Sequence, residues 1–465
     1  MASNFQRNDD RGRADHRDTF ALDEVIEDFA ERFPIVPVAT AAPIVGTASS
    51  DHRRDTPIKV PEQFAGQTAG QIVGRILSAD VINDRDSPAA DVSAMDGFAI
   101  ASGDIDRAIR RGITITGEAA AGMPRQTMTA GRAMRIFTGA IVPRGADLVV
   151  KVEDADVAID AADGDAVVRL HESLRPDGVA AGRHIRRRGE NAIAGDVVVP
   201  AGTMITPPVA AAMAGVGLAG VGLAGVGLFG DAMNHQLRRR VRVAILTTGD
   251  EVIPPQSVPE PHQIRNTNAA AVAMTIGQWS AIDVETFHAS DSIDGLRTVI
   301  ADLCRRFDFV VITGGVSMGD HDYVPKVVES LGGEIVFHRL PIRPGKPVLG
   351  AVMGGDRVTG VIGLPGNPVS STIGAVRMVM PCLRRIAGMT HWRTQPASVR
   401  VRDVGSRTLP LTWFRAVRID GDGWAECLPT RGSGDLFSIA NSDGFIEIPA
   451  GNALRDGDHA RFFRW

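Results

Sequence analysis

Between Val241 and Gly374 short apolar, β-branched runs alternate with amphipathic stretches, and each run stops at a cluster of turn formers. Val241–Leu246 stops at Thr247-Thr248-Gly249-Asp250-Glu251. Phe309–Ile312 stops at Gly314-Gly315, with a helical pattern starting near Tyr323, and Val361–Leu364 is turned by Pro365-Gly366-Asn367-Pro368 into a helix near Ser370. This rhythm predicts strand, glycine turn, helix, repeated along a parallel sheet. IDVETFHASD adds a strand ending at Asp291, and DGLRTVIADLC reads as the following helix, with Asp291 placed to cap it. Asn266, Thr267 and Asn268 mark another helix start.

The flanking regions have other rhythms. FALDEVIEDFAERF, Phe20 to Phe33, sets Leu22, Val25, Ile26, Phe29 and Phe33 on one helical face with acids opposite, and Pro34 ends it. Residues 37–66, rich in Ala, Pro, Thr and Ser, resemble a linker before a second pattern, AGQIVGRILSADVI. From Ala101 to Arg183 short β-branched runs are punctuated by Gly, Pro and Asp, which suits a small barrel inserted into the first domain. His391–Trp465 alternates in the same way and predicts a small β-barrel or sandwich. The expected fold class is therefore multidomain, α/β plus β. The expected boundaries are a disordered tail at 1–19, a discontinuous first domain at 20–100 and 184–240, the inserted barrel at 101–183, the α/β domain at 241–390 and the C-terminal barrel at 391–465.

Size agrees with several domains, since 465 residues and 49.3 kDa exceed one ordinary core. A net charge of -5 with positive charge only local argues against a nucleic-acid partner. Three scattered cysteines, Cys304, Cys382 and Cys427, without CxxC spacing make a disulfide framework or zinc site unexpected and suit a reducing cytoplasm. The first residues, MASNFQRNDDRGRADHRD, hold no apolar stretch of the signal-peptide kind. Pro207–Gly230 is uncharged and long enough to span a bilayer, yet it is glycine-rich and repeats VGLAG, so it reads as an extended turn and not a membrane span.

The chemistry concentrates at the turns. Helix N-termini freed of Cβ bulk by glycines attract phosphate or other oxyanions, so two such turns can face one anion. Between them Arg339, Arg343 and Lys346, in FHRLPIRPGKP, supply more positive charge than one phosphate needs, so the ligand should be polyanionic. Asp250, Glu251, Asp291, Asp320 and Asp322 fall along the same edge, where carboxylates would repel a phosphate unless a divalent ion lay between them. Asp250-Glu251 would suit a hydrated Mg2+ or a ligand amine.

TGGVSMGDHDY, PGKP and GLPGNPVS, in this order, resemble the molybdopterin-binding domain of the molybdopterin molybdenumtransferase family, the MoeA and gephyrin E-domain type. SAMDGFAI resembles that family's MDGYA motif with Phe98 in place of Tyr, and IFTGAIVPRGADLVV resembles its barrel signature. Asn191 and Asn266 stand where the family has Asp. The resemblance implies a three-layer α/β molybdopterin-binding domain, an elongated mixed domain, an inserted small β-barrel and a C-terminal β-barrel. It implies insertion of molybdenum from molybdate into adenylylated molybdopterin, with Mg2+-dependent release of AMP. It places Asp96, Thr138, Glu251, Asp291 and Asp322 at the cleavage site, and Asp250, Asp291, Asp320 and Asp322 near the metal. Ser370, Lys346 and Arg415 would hold molybdate, while Gly314, Gly315, Ser317, Arg339, Arg343 and the turn Pro365, Gly366, Asn367, Pro368 would hold the pterin phosphate. It also implies a homodimer, contacts with molybdopterin adenylyltransferase and recipient molybdoenzymes, and no membrane association. Two other readings stand beside it: a molybdopterin adenylyltransferase, whose short chains carry TGGTG where this one has TGGVS, and a non-catalytic pterin-binding scaffold.

Overall fold

A computed structural model describes residues 21–37, 73–159, 164–174, 180–216, 237–317, 319 and 322–465. The expected tail at 1–19, most of the 37–66 linker, nearly all of the VGLAG repeat and Asp320 lie outside them. The chain divides into two compact units, one of Asp80–Pro200 with Ala212–Gly217 and the other of the remainder.

In the larger unit the predicted βα units form one six-stranded sheet. Its strands are β1 (Val241–Thr248), β2 (Ile282–Ala289), β3 (Phe309–Thr313), β4 (Glu334–His338), β5 (Leu349–Met353) and β6 (Thr359–Leu364), in the order β2-β1-β3-β6-β5-β4. The pairs β1–β2, β1–β3 and β3–β6 are parallel, whereas β5 runs antiparallel to both neighbours. Successive side chains alternate between two cores. Val243, Ile245, Phe309 and Val311 pack with α2 (Thr267–Gly277), α5 (Pro368–Gly374) and α6 (Met380–Ile386). Ala244, Leu246, Val310 and Ile312 pack on the other face with α3 (Ile293–Arg306) and α4 (Val324–Ser330). Every residue of β3 is buried, as a strand covered on both faces requires. This is the expected three-layer domain. Between α5 and α6 the helix widens to a π turn over Ala375–Val379, where Pro381 has no N–H to give the carbonyl one turn back.

The amphipathic N-terminal helix is present as α1 (Leu22–Glu31), with Leu22, Ile26, Phe29 and Phe33 buried. The sequence groups it with the first domain, but its apolar face packs on the α/β layer. Phe29 meets Phe33 and Phe337 edge-on at 5.0 and 5.2 Å, and Phe33 meets Phe309 at 5.6 Å. Asp23 on its first turn pairs with Arg377, which is 1% exposed and also bonds Glu447 at 2.7 Å. Two acids thus neutralise the buried guanidinium.

The C-terminal expectation holds as a closed barrel. β7 (Ala397–Arg402), β8 (Thr412–Ile419), β9 (Trp424–Cys427), β10 (Gly444–Ile448) and β11 (His459–Arg464) pair in the order β8-β9-β7-β11-β10 and return to β8. The three cysteines are free and buried, and burial pushes the Cys304 thiol up to about 12, so it is inert at neutral pH.

The smaller unit differs from the barrel expected at 101–183. Its six-stranded sheet begins earlier, at Gly97–Ile100, and runs in the order Leu148–Lys151, Gly97–Ile100, Ala133–Ile136, Ile113–Ala119, Ala166–Leu170, Ala155–Ile159. No pairing joins the two outer strands among the described residues, so the sheet is open there. Its two faces carry separate cores, one around Phe98, Ile113, Leu148 and Val168 and one around Ala99, Met134, Ile136 and Val149. At the start of the uncharged segment, Pro207–Gly215 is a helix. Among the described residues no helix is long and apolar enough to cross a membrane.

Candidate active site

The sheet switches direction between β1 and β3, because the connection through α2 leads to one side of β1 and the next strand returns to the other. Ligands bind in open α/β sheets at the carboxyl ends of such a pair. Gly314 and Gly315 stand there with φ of +95° and +64°. A Cβ on Gly314 would lie 2.8 Å from Thr248 Oγ1 and 3.1 Å from its carbonyl oxygen, so only glycine fits. The second turn abuts the first, since a Cβ on Gly366 would be 3.8 Å from Gly314 Cα. Asn367 precedes α5 without a side-chain cap, and Pro368 opens the helix. The two turns expected to share an anion are therefore side by side. Ser370 is 3% exposed and faces a cavity of about 10 Å³ with Pro344, Leu364, Pro365, Arg377 and Phe414. Ser317, Arg339, Arg343 and Lys346 are exposed around this edge. Sequence reading missed His338, whose Nε2 lies 2.9 Å from the Val316 carbonyl oxygen and ties the end of β4 to the glycine loop.

Three of the expected acids crowd together. The Asp291 N–H donates to Asp250 Oδ1 at 3.2 Å, and Glu251 folds back so that a Cβ on Gly249 would lie 2.6 Å from its Oε2. Burial raises the Asp291 carboxyl above the usual range, and the charges of Glu251 and Asp250 raise it further. Asp291 is not the cap of α3: Ser292 accepts the Gly295 N–H instead, at 3.2 Å. Asp322 accepts the Gly319 N–H at 2.6 Å and so closes its own turn. Among the described residues no group of three or more His, Cys, Asp or Glu side chains is disposed as a metal-ligand set. The crowded carboxylates nevertheless suit a hydrated hard cation, which needs few protein oxygens and would relieve their repulsion. Asn266 caps α2 by accepting the Ala269 N–H at 3.0 Å and also donates to Thr247 Oγ1 at 2.9 Å, so both ends of the amide are engaged within the fold.

In the smaller unit Asp96 and Thr138 come together. The backbone N–H and hydroxyl of Thr138 both donate to Asp96 Oδ1, each at 2.7 Å, and these two bonds hold the carboxyl below its ordinary range. Gly97 follows Asp96 because a Cβ there would fall 1.8 Å from the Val150 carbonyl oxygen. Arg187 and Arg188 pair with Asp91 and Asp86, and Arg186 with Glu190 and Asn191, a solvated charge cluster.

Three family descriptions match the chain: MoeA N-terminal region (domain I and II) over 38–217, probable molybdopterin binding domain over 244–385, and MoeA C-terminal region (domain IV) over 407–463. The molybdopterin molybdenumtransferase of Nostoc sp. is 30% identical over 391 residues, 82% of this chain and 84% of the relative. That of Bacillus subtilis is 30% identical over 385 residues, 81% and 84%. This chain belongs to the molybdopterin molybdenumtransferase (MoeA) family. In fold it is similar to a molybdopterin biosynthesis MoeA protein from Pyrococcus horikoshii, with a TM-score of 0.69 and 20% identity over 96% of this chain and 100% of that one.

One residue carried over from the MoeA resemblance is out of place. Arg415 lies on β8 between Phe414 and Ala416, whose side chains join the α/β core, and Phe414 lines the cavity beside Ser370. Arg415 faces the opposite way, as strand alternation requires. Its guanidinium donates to the Val404 carbonyl, lies 5.0 Å from the Trp413 ring and neighbours the Cys427 thiol in the barrel. Within one chain, the expected trio of Ser370, Lys346 and Arg415 is therefore not assembled.

Proposed function

We propose that this MoeA-family protein inserts molybdenum from molybdate into adenylylated molybdopterin and releases AMP. The observation that carries the reading is the pair of abutting glycine turns at the sheet switch with a crowd of carboxylates beside them. In this reading backbone N–H groups of the Gly314-Gly315 and Pro365–Pro368 turns receive phosphate oxygens, and Arg339, Arg343 and Lys346 offset their charge. Asp250, Glu251 and Asp291 would hold Mg2+, which when bound neutralises the phosphoanhydride and steadies its leaving group. A water oxygen attacks the phosphoanhydride as its bridging P–O bond breaks, leaving AMP and the pterin phosphate, and the two dithiolene sulfurs replace one molybdate oxygen, which leaves as water with the two thiol protons. Asp96 takes the Thr138 hydroxyl proton, so this hydroxyl, on an exposed residue, would meet a ligand only as an acceptor. Molybdate relies on Lys346 and Ser370, with Arg415 withdrawn from the site. A homodimer in the cytoplasm, working with an adenylyltransferase before it and a molybdoenzyme after it, completes the proposal.

The test is purified protein with adenylylated molybdopterin, Mg2+ and molybdate. Release of AMP with formation of molybdenum cofactor supports the reading. Binding without AMP release makes the protein a scaffold, and adenylylation of free molybdopterin with ATP makes it an adenylyltransferase.

A further inference from the structure

Two arginines on the helical stretch that runs from α5 through the π turn into α6 are treated differently. Arg377 is neutralised by Asp23 and Glu447. Arg384 has no acid partner among the described residues. Its Nη1 donates to Thr394 Oγ1 at 3.2 Å, and its guanidinium lies 5.0 Å from the centroid of the Trp279 ring. Burial lowers its pKa from the ordinary value, and no carboxylate is near enough to oppose that. A partly buried cation without a counter-ion is costly unless something anionic joins it.

Arg384 is open to a ligand. It lines a cleft of about 460 Å³ bounded by the carboxyl end of α2, by α6 and by β11, within the size range of small-molecule sites. Trp279, Phe462, Phe463 and Trp465 supply its aromatic surface. Trp465 is held in place by a bond from its Nε1 to Ser442 Oγ at 2.8 Å and by the Phe445 ring. Arg464, exposed and in no ion pair among the described residues, adds a second positive charge, and no Asp or Glu among the described residues lines the cleft. The cleft is separate from the site described above. α2 meets the Gly366 turn at its start, through Asn268, and the cleft at its end, about 16 Å away at a rise of 1.5 Å per residue.

We propose that this cleft is a second binding site, for a small ligand that joins a planar aromatic ring to a carboxylate or a similar anionic group. The anion takes the guanidinium N–H groups of Arg384 that Thr394 does not use, with Arg464 adding charge, while the ring packs on the indoles. Charge alone would hold little, because an ion pair open to solvent contributes little. A ring alone would leave Arg384 without its counter-ion. The ligand class is set by the two together, and the site is independent of the molybdenum insertion proposed above.

The test is equilibrium dialysis of the full chain against three probes: indole-3-acetate, with ring and charge, indole-3-acetamide, with the ring alone, and acetate, with the charge alone. Wild type should bind indole-3-acetate about tenfold more tightly than the amide, the difference that a charge-assisted hydrogen bond makes, and should bind acetate more weakly than either. Arg384→Gln should lower the affinity for indole-3-acetate about tenfold, to that of the amide, and leave the amide within about twofold. Equal affinities of wild type for acid and amide overturn the proposal, as do acetate bound as tightly as indole-3-acetate and the absence of saturable binding. Equal losses of acid and amide in Arg384→Gln overturn it as well, because Arg384 would then only support the cleft wall, and so do unchanged affinities. If Arg384→Gln does not fold, Arg464→Glu, at an exposed position, decides it. That variant should weaken indole-3-acetate about tenfold and leave the amide within about twofold, and an unchanged affinity for the acid overturns the proposal.

Discussion

The two ends of the central sheet treat carboxylates in opposite ways. At the amino end of β3, Asp308 is 8% exposed, and its two oxygens receive two bonds of 2.6 Å from Arg239, one from Arg357 and one of 2.9 Å from the Arg242 N–H. Burial alone would raise its carboxyl, but these donors bring it below the usual range. At the carboxyl end Asp250, Glu251 and Asp291 crowd one another, and none is in an ion pair among the described residues. The first arrangement is complete in itself and holds the fold. The second leaves its carboxylate charges uncompensated among the described residues, which is what the proposed cation would relieve.

The largest effect expected belongs to the complete end. Arg239→Met should destabilise the protein by about 3 kcal/mol, the low end of the range for breaking a buried pair, because Arg357 and the Arg242 N–H still serve Asp308. Denaturant unfolding measures this, and AMP release below the transition should stay near wild type. A stability loss under about 1 kcal/mol would show that Asp308 is not held as this geometry requires.

At the other end the order of effects should reverse. Asp291→Asn should leave folding intact, because Ser292 caps α3. With Mg2+ present it should cut AMP release about 100-fold, the scale on which removing one charge-stabilising group acts. Without Mg2+ the variant should bind adenylylated molybdopterin as well as wild type or better. Single-turnover rates with parallel binding measurements decide it, and a near wild-type rate removes Asp291 from the cleavage site.

Both ends differ in how far sequence reveals them. The strands, the glycine turns and the three-layer packing follow from apolar runs and turn residues, which are local properties. What was missed depends on partners. Alternation tells which face of a strand is buried, but not whether the last strand of the 101–183 insertion meets the first. Amphipathic α1 announces a buried face without saying that Phe337 and Phe309 cover it. Asp291 and Ser292 are equally competent caps, and only backbone geometry chooses between them. Arg415 turns on parity, since one step along β8 moves a side chain from the Ser370 cavity to the barrel interior. Arg384 looks in sequence like Arg377 on the same helical stretch, because which of the two meets carboxylates is decided only after the chain folds.

That parity argument separates two cations the sequence joins. Lys346→Gln should raise the molybdate concentration for half-maximal turnover about tenfold, as loss of a charge-assisted bond would. Arg415→Gln should leave it within about twofold and lower stability instead, since Arg415 spends its guanidinium on Val404 and Trp413. Molybdate titrations of both variants test this. Equal shifts would return Arg415 to the oxyanion site, by way of a partner subunit.

The smallest effect is the most direct reading of the carboxyl end. The Asp291 carboxyl is raised in the folded state, so the folded protein binds its proton more tightly than the unfolded chain does. Its contribution to stability therefore falls as pH rises from the ordinary carboxylate value through the raised one, and above that the penalty is fully present. Asp308 has the opposite sign, contributing stability at neutral pH that is lost as pH falls through its lowered value. At pH 7, without divalent cations, Asp291→Asn should melt slightly higher than wild type, by a small margin because the group is partly exposed and salt screens it. Mg2+ should raise the melting temperature of wild type more than that of the variant, since a cation between the carboxylates removes the repulsion the substitution has already removed. At a pH low enough to protonate Asp291 the two proteins should converge and Mg2+ should lose its advantage. Thermal melts of both proteins, with and without Mg2+ across this range, read the comparison. A wild type that melts higher than the variant at pH 7 without Mg2+ would show that Asp291 is already satisfied within the fold, as Asp308 is.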